Sequence, residues 1–359
     1  MDAESKVEVV KSFAQEIVTE AELKQLFETN EHPLAYDGFE PSGLAPIHFG
    51  IMRAKNVKKL LNIGIRFNLY IADYFAFINK KVGGNLEHIQ NVGKYFVEVW
   101  RAAGIDTGKV SVVWASELMK DFSYWDMFIK VGRAISLDRA KRAITIMGRQ
   151  QGEAVDAAQI FYPAMQVTDI FQMDIDICQL GLDQRKANML AREIAQKFGR
   201  KVPVAVHHPY LLGLKGAPNA GALASDEGFV YKMSKSKPGD AILVHDDFET
   251  IKNKIGNAYC PPGIVEGNPL FNYLDLLVID DKSAPIAIER PARFGGRLEL
   301  ANYAELVSAY KKGQLHPTDL KAFVAEELEK LIKPVREHFE KDSKARELYE
   351  LVKSYQVTR

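Results

Sequence analysis

Short strand-like runs, each followed by a stretch of helical period, recur through the first two hundred residues, and this alternation constrains the fold more than any other feature. Leu34 to Phe39 is a short apolar run that breaks at Glu40-Pro41-Ser42-Gly43, a strand running into a turn. Phe67, Leu69 and Ile71 alternate, as do Val110, Val112 and Trp114, and again Met173, Ile175 and Ile177. Asp183 opens a helix through Phe198, with Gly199 just past its end, and Val202 to Val206 is a further strand. Strands separated by helices imply an α/β fold with a parallel, doubly wound sheet. Ligands in such folds sit beyond the carboxyl ends of the strands. The turn after Phe39, the segment after Val206 and a loop at Lys232 are expected there.

The flanks differ from this centre. Residues 4 to 28 read as helix, with Val7, Val10, Phe13 and Ile17 at helical spacing, and Thr19 with Glu22 forms a capping box that restarts it toward Leu23, Leu26 and Phe27. From about Asp246 onward helical stretches dominate: Asp247 to Tyr259, Asn268 to Asp280, Asn302 to Lys312, and Pro317 to Phe339. Asn268-Pro269 and His316-Pro317 are cap residues followed by proline at the first helical position. The expected organisation is a helical extension over 1–30, an α/β domain over 31–262, and a mostly helical domain over 263–359, joined near Pro261-Pro262-Gly263.

Composition excludes several classes. Lysine plus arginine equals aspartate plus glutamate at 47 each, so a nucleic-acid partner has to be held by local patches and not by a global field. Cys178 and Cys260 stand far apart with no CxxC, which argues against a zinc site and a disulfide framework. No apolar run approaches a membrane span, and Met1-Asp2-Ala3-Glu4 begins no signal-peptide core; a cytosolic, cytoplasmic enzyme is the expectation.

Four groups of residues carry chemistry. Tyr36-Asp37-Gly38-Phe39-Glu40-Pro41-Ser42-Gly43, then Ile47-His48-Phe49-Gly50, is a strand end, a glycine-bearing turn and a helix start, an arrangement whose exposed N–H groups favour phosphate. Tyr162, Gln166 and Asp169 lie at i, i+4 and i+7 and share one helix face. Bordered by Phe161, Met165 and Ile170, that polar face reads as a pocket wall; the alternative is a polar surface face. Arg133, Arg139, Lys141, Arg142 and Arg149 form a basic run that suits phosphate contact or a solvated helix face equally. Lys232-Met233-Ser234-Lys235-Ser236, with Pro238 and Gly239 behind it, places two mobile ammonium groups where charge on a leaving pyrophosphate can be stabilised; the plain alternative is a solvated basic loop.

Taken in order, these motifs reach a family. With Asp183-Gln184-Arg185-Lys186, and with Arg293-Phe294-Gly295-Gly296 and His316-Pro317-Thr318-Asp319-Leu320-Lys321 in the tail, the chain resembles a tyrosyl-tRNA synthetase of the archaeal and eukaryotic cytosolic type over nearly its whole length, and the Lys232 string resembles the KMSKS loop of class I aminoacyl-tRNA synthetases. The resemblance implies a Rossmann-type catalytic domain, a C-terminal anticodon-binding domain, and a dimer-forming connecting region at about 100–154, where Trp125, Phe128, Ile129 and Ile135 suit a homodimer or a monomer core. It implies tyrosine contacts from Tyr36, Tyr162, Gln166, Asp169 and Gln184. For ATP it implies Gly38, Glu40, Ser42, Gly43, His48, Gly50, Met233, Ser234, Lys235 and Ser236, with Lys232, Lys235 and His48 catalytic and magnesium carried by the phosphates. For tRNA(Tyr) it implies Arg185, Arg139 and Arg142 at the acceptor end, Arg185 being equally suited to a structural ion pair, and Phe294, His316 and Asp319 at the anticodon. The implied reaction is tyrosine–tRNA ligation; a tryptophan–tRNA ligase and a non-catalytic RNA-binding paralogue are the alternatives. Two departures stand out. One histidine of the family's HIGH pair is absent: Ile51 holds its place if Ile47-His48-Phe49-Gly50 is the motif, or Pro46 if the register is set from Met52 and Asn56. Phe75, after Ala72-Asp73-Tyr74, stands where many relatives carry histidine.

Overall fold

The structure is a computed structural model, described for residues 1–143, 156–217, 231–233 and 239–355. By packing the chain divides into two compact units: Met1–Leu44, Asn56–Pro209 and Glu347–Arg359 form the first, Ala45–Lys55 and Tyr210–Arg346 the second. The packing limit at Tyr210 falls ahead of the junction expected at 262/263, and the helix Phe248–Gly256, ahead of that junction, packs on the helix Pro317–Lys341 behind it.

The first unit is built on a six-stranded sheet of β1 (Glu16–Val18), β2 (Leu34–Phe39), β3 (Arg66–Ile71), β4 (Val110–Trp114), β5 (Ile177–Gly181) and β6 (Val204–His208). The spatial order is β1-β6-β5-β2-β3-β4; β2 to β6 run parallel, and β1 is antiparallel to β6. Winding leaves β2 in one direction through β3 and β4 and in the other through β5 and β6. The switch point of this doubly wound sheet therefore lies between β2 and β5, where Tyr36 pairs with Cys178. β5 and β6 are buried at every position, including the polar Gln179, His207 and His208. The helix Leu86–Ala102 starts on Asn85, whose side chain accepts from the His88 amide, and buries Ile89, Val92, Phe96 and Val99 at helical spacing. Gly93 lets this helix lie close to the sheet: a Cβ there would stand 2.6 Å from Trp114 Cη2 and 2.8 Å from Ile71 Cγ2.

In this first unit three element limits differ from the sequence reading. Ile17 is not helical: Ala3–Lys11 and Glu20–Thr29 are separate helices, and β1 lies between them because β6 supplies its backbone partners. The expected capping box does form, Thr19 Oγ1 accepting from the Glu22 amide at 3.1 Å and Glu22 Oε2 from the Thr19 amide at 2.9 Å. The run Met173–Ile177 becomes a strand only at Ile177, since the Met173 amide still bonds Asp169 O and Asp174 turns at φ 51°. Val202–Val206 shifts two residues to Val204–His208 after the helix ends at Gly199, φ 58°.

The second unit is mostly helical. Phe248–Gly256 packs on the long helix Pro317–Lys341, and a small antiparallel pair, β7 (Ile286–Ile288) and β8 (Leu298–Leu300), accompanies them. Asn268 and His316 both cap helices that open on proline, as their sequences imply. The first of these is shorter than expected: Pro269–Tyr273 widens into a π-helical turn over Leu274–Val278. Among the described residues no helix is long and apolar enough to cross a membrane.

Candidate active site

The helix Ala157–Gln172 buries residues on all sides, and it carries Tyr162, Gln166 and Asp169 into the first unit instead of toward water. Its start is secured by a capping box in which the Asp156 amide donates to Gln159 Oε1 at 2.9 Å. Asp169, 1% exposed, accepts a 2.9 Å hydrogen bond at Oδ1 from the hydroxyl of Tyr124, a fully buried residue of the helix Phe122–Ala134. Asp169 Oδ2 is buried with no hydrogen-bond partner, and so are the hydroxyls of Tyr36 on β2 and Tyr70 on β3. The rings form an edge-to-face series: Tyr36 and Tyr70 at 6.3 Å, Tyr70 and Phe75 at 6.3 Å, Phe75 and Tyr162 at 4.6 Å. Burial pushes the Asp169 carboxyl up to about 8, against the opposing pull of the Tyr70 and Tyr124 hydroxyls. Burial also holds Tyr36 and Tyr70 well above the ordinary phenol range, so both are neutral donors. Glycine at 38 keeps this wall thin, a Cβ there standing 3.2 Å from Tyr70 Cδ1.

The other end of the same face is rich in oxygen acceptors. The Tyr162 hydroxyl donates to Glu40 Oε1 at 2.6 Å, Asn79 Nδ2 donates to the same oxygen at 2.6 Å, and Lys81 Nζ stands 4.0 Å from Oε2. Gln166 Nε2 donates to Gln184 Oε1 at 3.3 Å, which leaves Gln166 Oε1 buried without a partner. One end thus complements a hydroxyl and the other a cationic group. The sequence-predicted residues Tyr36, Tyr162, Gln166, Asp169 and Gln184 all belong to this unit, Tyr36, Tyr162, Gln166 and Asp169 deeply buried in it, and Glu40, expected for ATP, is bound to the phenol of Tyr162. Gly38 lies within β2, and the chain turns after it through Ser42 and Gly43, the latter at φ 108°. Sequence reasoning missed Tyr70, Tyr124 and Asn79. Tyr70 was legible only as a polar break among Phe67, Leu69 and Ile71, and Tyr124 had no signal, since an aromatic in an apolar helix reads as core.

In the second unit, residues 45–47 pair with 242–244: the Ile47 amide bonds Ile242 O and the Val244 amide bonds Ala45 O, each at 3.0 Å. His48 then opens a π-helical turn, His48–Arg53, in which Gly50 is buried and its amide bonds Pro46 O at 3.0 Å. Lys232 bridges to Leu212, and the Met233 amide bonds Leu211 O at 2.8 Å, so this pairing anchors the entry to the lysine–serine string. Met233 is 2% exposed. Ser234, Lys235 and Ser236, and Arg149 of the basic run, lie outside the described residues.

Of the residues expected at tRNA, Arg185 forms an ion pair, its Nε donating to both carboxylate oxygens of Glu16 at 2.9 Å. Glu16 Oε2 also lies 2.7 Å from His207 Nδ1, and burial lowers the pKa of that histidine. Arg139 pairs with Glu193 at 3.2 Å, and Arg142 is exposed. His316 caps its helix through Nδ1, which accepts from the Thr318 amide at 3.2 Å, and Asp319 is buried in the first turn. The side chain of Phe294 lies outside the description. Phe122, Trp125 and Ile129 on one helix are exposed by 82%, 44% and 61%, with Phe161 at 50%, an apolar surface larger than isolated residues make. Phe128 and Ile135, grouped with them from sequence, are half-buried.

Comparison with known proteins places this geometry. Residues 28–333 match the family of class I tRNA synthetases (W and Y). A tyrosine–tRNA ligase of Sulfurisphaera tokodaii is 41% identical, over 95% of this chain and 94% of its own. The cytoplasmic tyrosine–tRNA ligase 1 of Arabidopsis thaliana is 40% identical, over 100% of this chain and 90% of its own. Among solved structures, the tyrosyl-tRNA synthetase of Pyrococcus horikoshii complexed with L-tyrosine superposes with a TM-score of 0.89 at 38% identity, over 99% of this chain and 100% of that one. A tryptophanyl-tRNA synthetase of Encephalitozoon cuniculi shares the fold, at a TM-score of 0.71 and 18% identity, over 97% of this chain and 92% of that one.

Proposed function

This chain belongs to the tyrosine–tRNA ligase family of class I tRNA synthetases, and we propose on that premise that it activates L-tyrosine with ATP and transfers it to the 3′ end of tRNA(Tyr). The observation that carries the substrate is the buried Asp169 with one oxygen held by Tyr124 and the other unpartnered, in electrostatic reach of the equally unpartnered Tyr36 hydroxyl. Tyrosine's phenol donates to Asp169 Oδ2, its binding selecting the ionised form of that carboxyl, and its ammonium is held by Tyr162, Gln166 and Gln184. Phenylalanine in the same place leaves a buried carboxylate and a buried phenol unpaired, which is costly; this enzyme class is the established example of rejection achieved in that way without editing.

In the first step the ionised tyrosine carboxylate attacks the α-phosphorus of ATP. A carboxylate–phosphorus bond forms, the bond to the bridging oxygen breaks, and pyrophosphate leaves with the electron pair. No general base is required, so positioning and charge stabilisation supply the rate. Lys232 and Lys235 carry the charge on the departing pyrophosphate, with His48 and the Gly38–Gly43 turn serving the nucleotide. In the second step a terminal ribose hydroxyl attacks the activated carbonyl, the bond from that carbon to the phosphate oxygen breaks, and AMP leaves with the electron pair, its phosphate taking up the hydroxyl proton. A magnesium ion would arrive on the nucleotide's phosphate oxygens, with few protein ligands. Arg139, Arg142 and Arg185 serve the acceptor end, and Phe294, His316 and Asp319 the anticodon. The protein works in the cytoplasm as a homodimer, for which Phe122, Trp125, Ile129 and Phe161 supply the apolar face.

ATP–pyrophosphate exchange tests the reading. Exchange that depends on tyrosine supports it. Exchange with tryptophan and not tyrosine overturns the substrate, and absence of any exchange in well-folded protein favours the non-catalytic RNA-binding alternative.

A further inference from the structure

Three buried polar atoms in the first unit lack partners at the phenol end of the pocket: Asp169 Oδ2, the Tyr36 hydroxyl and the Tyr70 hydroxyl. Tyr70 is 3% exposed and sits on β3, opposite Gly38 in the register. Its hydroxyl interacts with both Asp169 and Tyr124 without making a hydrogen bond of normal geometry to either. An unmade hydrogen bond at a buried polar atom is expensive, and Tyr36 and Tyr70 each interact electrostatically with Asp169, so the three call for a common partner. The inventory of the three is specific. Tyr124 already bonds Asp169 Oδ1, so Oδ2 of the ionised carboxyl, the form a donating ligand selects, offers one acceptor, while Tyr36 and Tyr70, neutral because burial raises both well above the ordinary phenol range, offer two donors. A phenol carries one donor and two acceptor sites. The count closes on one ligand hydroxyl.

Resting on the tyrosine reading above, we infer that Tyr70 is a third substrate contact that determines specificity: its hydroxyl donates to the second lone pair of the tyrosine phenol, so that the substrate hydroxyl donates to Asp169 and accepts from both Tyr36 and Tyr70. Phe75, packed edge-to-face on Tyr70 at 6.3 Å, offers no polar atom to divert the Tyr70 hydroxyl. Tyr36 also packs edge-to-face on the Tyr70 ring at the same separation.

The test is pyrophosphate exchange by the full chain and by Tyr70→Phe, which keeps the ring packing. The KM for tyrosine rises about tenfold in the variant, the scale of one buried hydrogen bond, while the KM for ATP stays unchanged. The preference for tyrosine over phenylalanine shrinks by the same factor. A substrate-side probe needs no variant to fold: 4-aminophenylalanine presents two donors to a site built for one, so wild type disfavours it against tyrosine, and Tyr70→Phe narrows that gap. Unchanged tyrosine KM and unchanged analogue preference overturn the inference. Asp169→Asn separates this failure from failure of the pocket reading. If Asp169→Asn alters tyrosine use and Tyr70→Phe does not, only the Tyr70 contact is wrong; if neither does, the pocket itself is misassigned.

Discussion

Asp169→Asn separates what this carboxylate does for the substrate from what it does to the fold. The carboxyl is fully buried and its pKa is pushed up to about 8 in the folded chain, far above an unfolded aspartate near 3.8. Between those values the folded state holds a proton that the unfolded state has lost. Stability therefore falls as pH rises through that window, by about 1.4 kcal/mol per pH unit. From pH 6 to pH 8 the loss is about 2 to 2.5 kcal/mol, the slope easing as the folded pKa is reached. Asparagine has the same shape, and its amide oxygen still accepts from Tyr124, whose bond to Asp169 measures 2.9 Å. It has no proton to lose, so this component of the pH slope vanishes. Urea unfolding of the substrate-free protein, compared at pH 6 and pH 8, should show the variant gaining on wild type by roughly that amount as pH rises. Tyrosine use should fall at the same time, because a bound phenol that donates selects the ionised carboxylate, and asparagine, whose amide nitrogen presents a donor there, has no such form. A sacrifice of stability for function of this kind is common at binding sites. Parallel pH curves for the two proteins would refute the argument, since they would mean Asp169 is not the buried, proton-holding group described.

Three other substitutions probe separate links. Gly93→Ala forces a methyl to within 2.6 Å of Trp114 and 2.8 Å of Ile71, so unfolding midpoints should drop by an equivalent of about 1–3 kcal/mol with little change in tyrosine KM per folded molecule. Tyr162→Phe removes the 2.6 Å hydrogen bond to Glu40 and should raise the tyrosine KM in pyrophosphate exchange by about tenfold, with the KM for tRNA unmoved; an effect on tRNA alone would reassign Tyr162. Asp319→Ala should weaken aminoacylation and leave adenylate formation nearly intact, which exchange and charging measured side by side will decide, since Asp319 lies in the second unit at the start of Pro317–Lys341.

What the sequence made legible follows from how local the signal is. Tyr162, Gln166 and Asp169 were found because one helix sets their spacing, and Thr19 with Glu22 because a capping box is complete within four residues. Ile17 was misplaced because its distance from Phe13 suits a helix, and only β6, almost two hundred residues on, makes it a strand. Gly199 stopped a helix where glycine predicts, yet the strand after it began two residues late, since register is set by Val204 bonding back to Asp176. The partners that complete the site were the least legible. Tyr124 reaches Asp169 across 45 residues of sequence, and Tyr162 reaches Glu40 across 122. Their pattern was apolar in one case and assigned to ATP in the other. That difference has a chemical consequence for Glu40. With Tyr162 and Asn79 donating to one oxygen and Lys81 near the other, its charge is already engaged by the amino-acid half of the site. A motif read as a nucleotide turn thus also orients the Tyr162 phenol, proposed above to meet the substrate's ammonium. Loss of Glu40 is therefore expected to raise the KM for tyrosine as well as that for ATP, whereas a residue serving the nucleotide alone would move only the second.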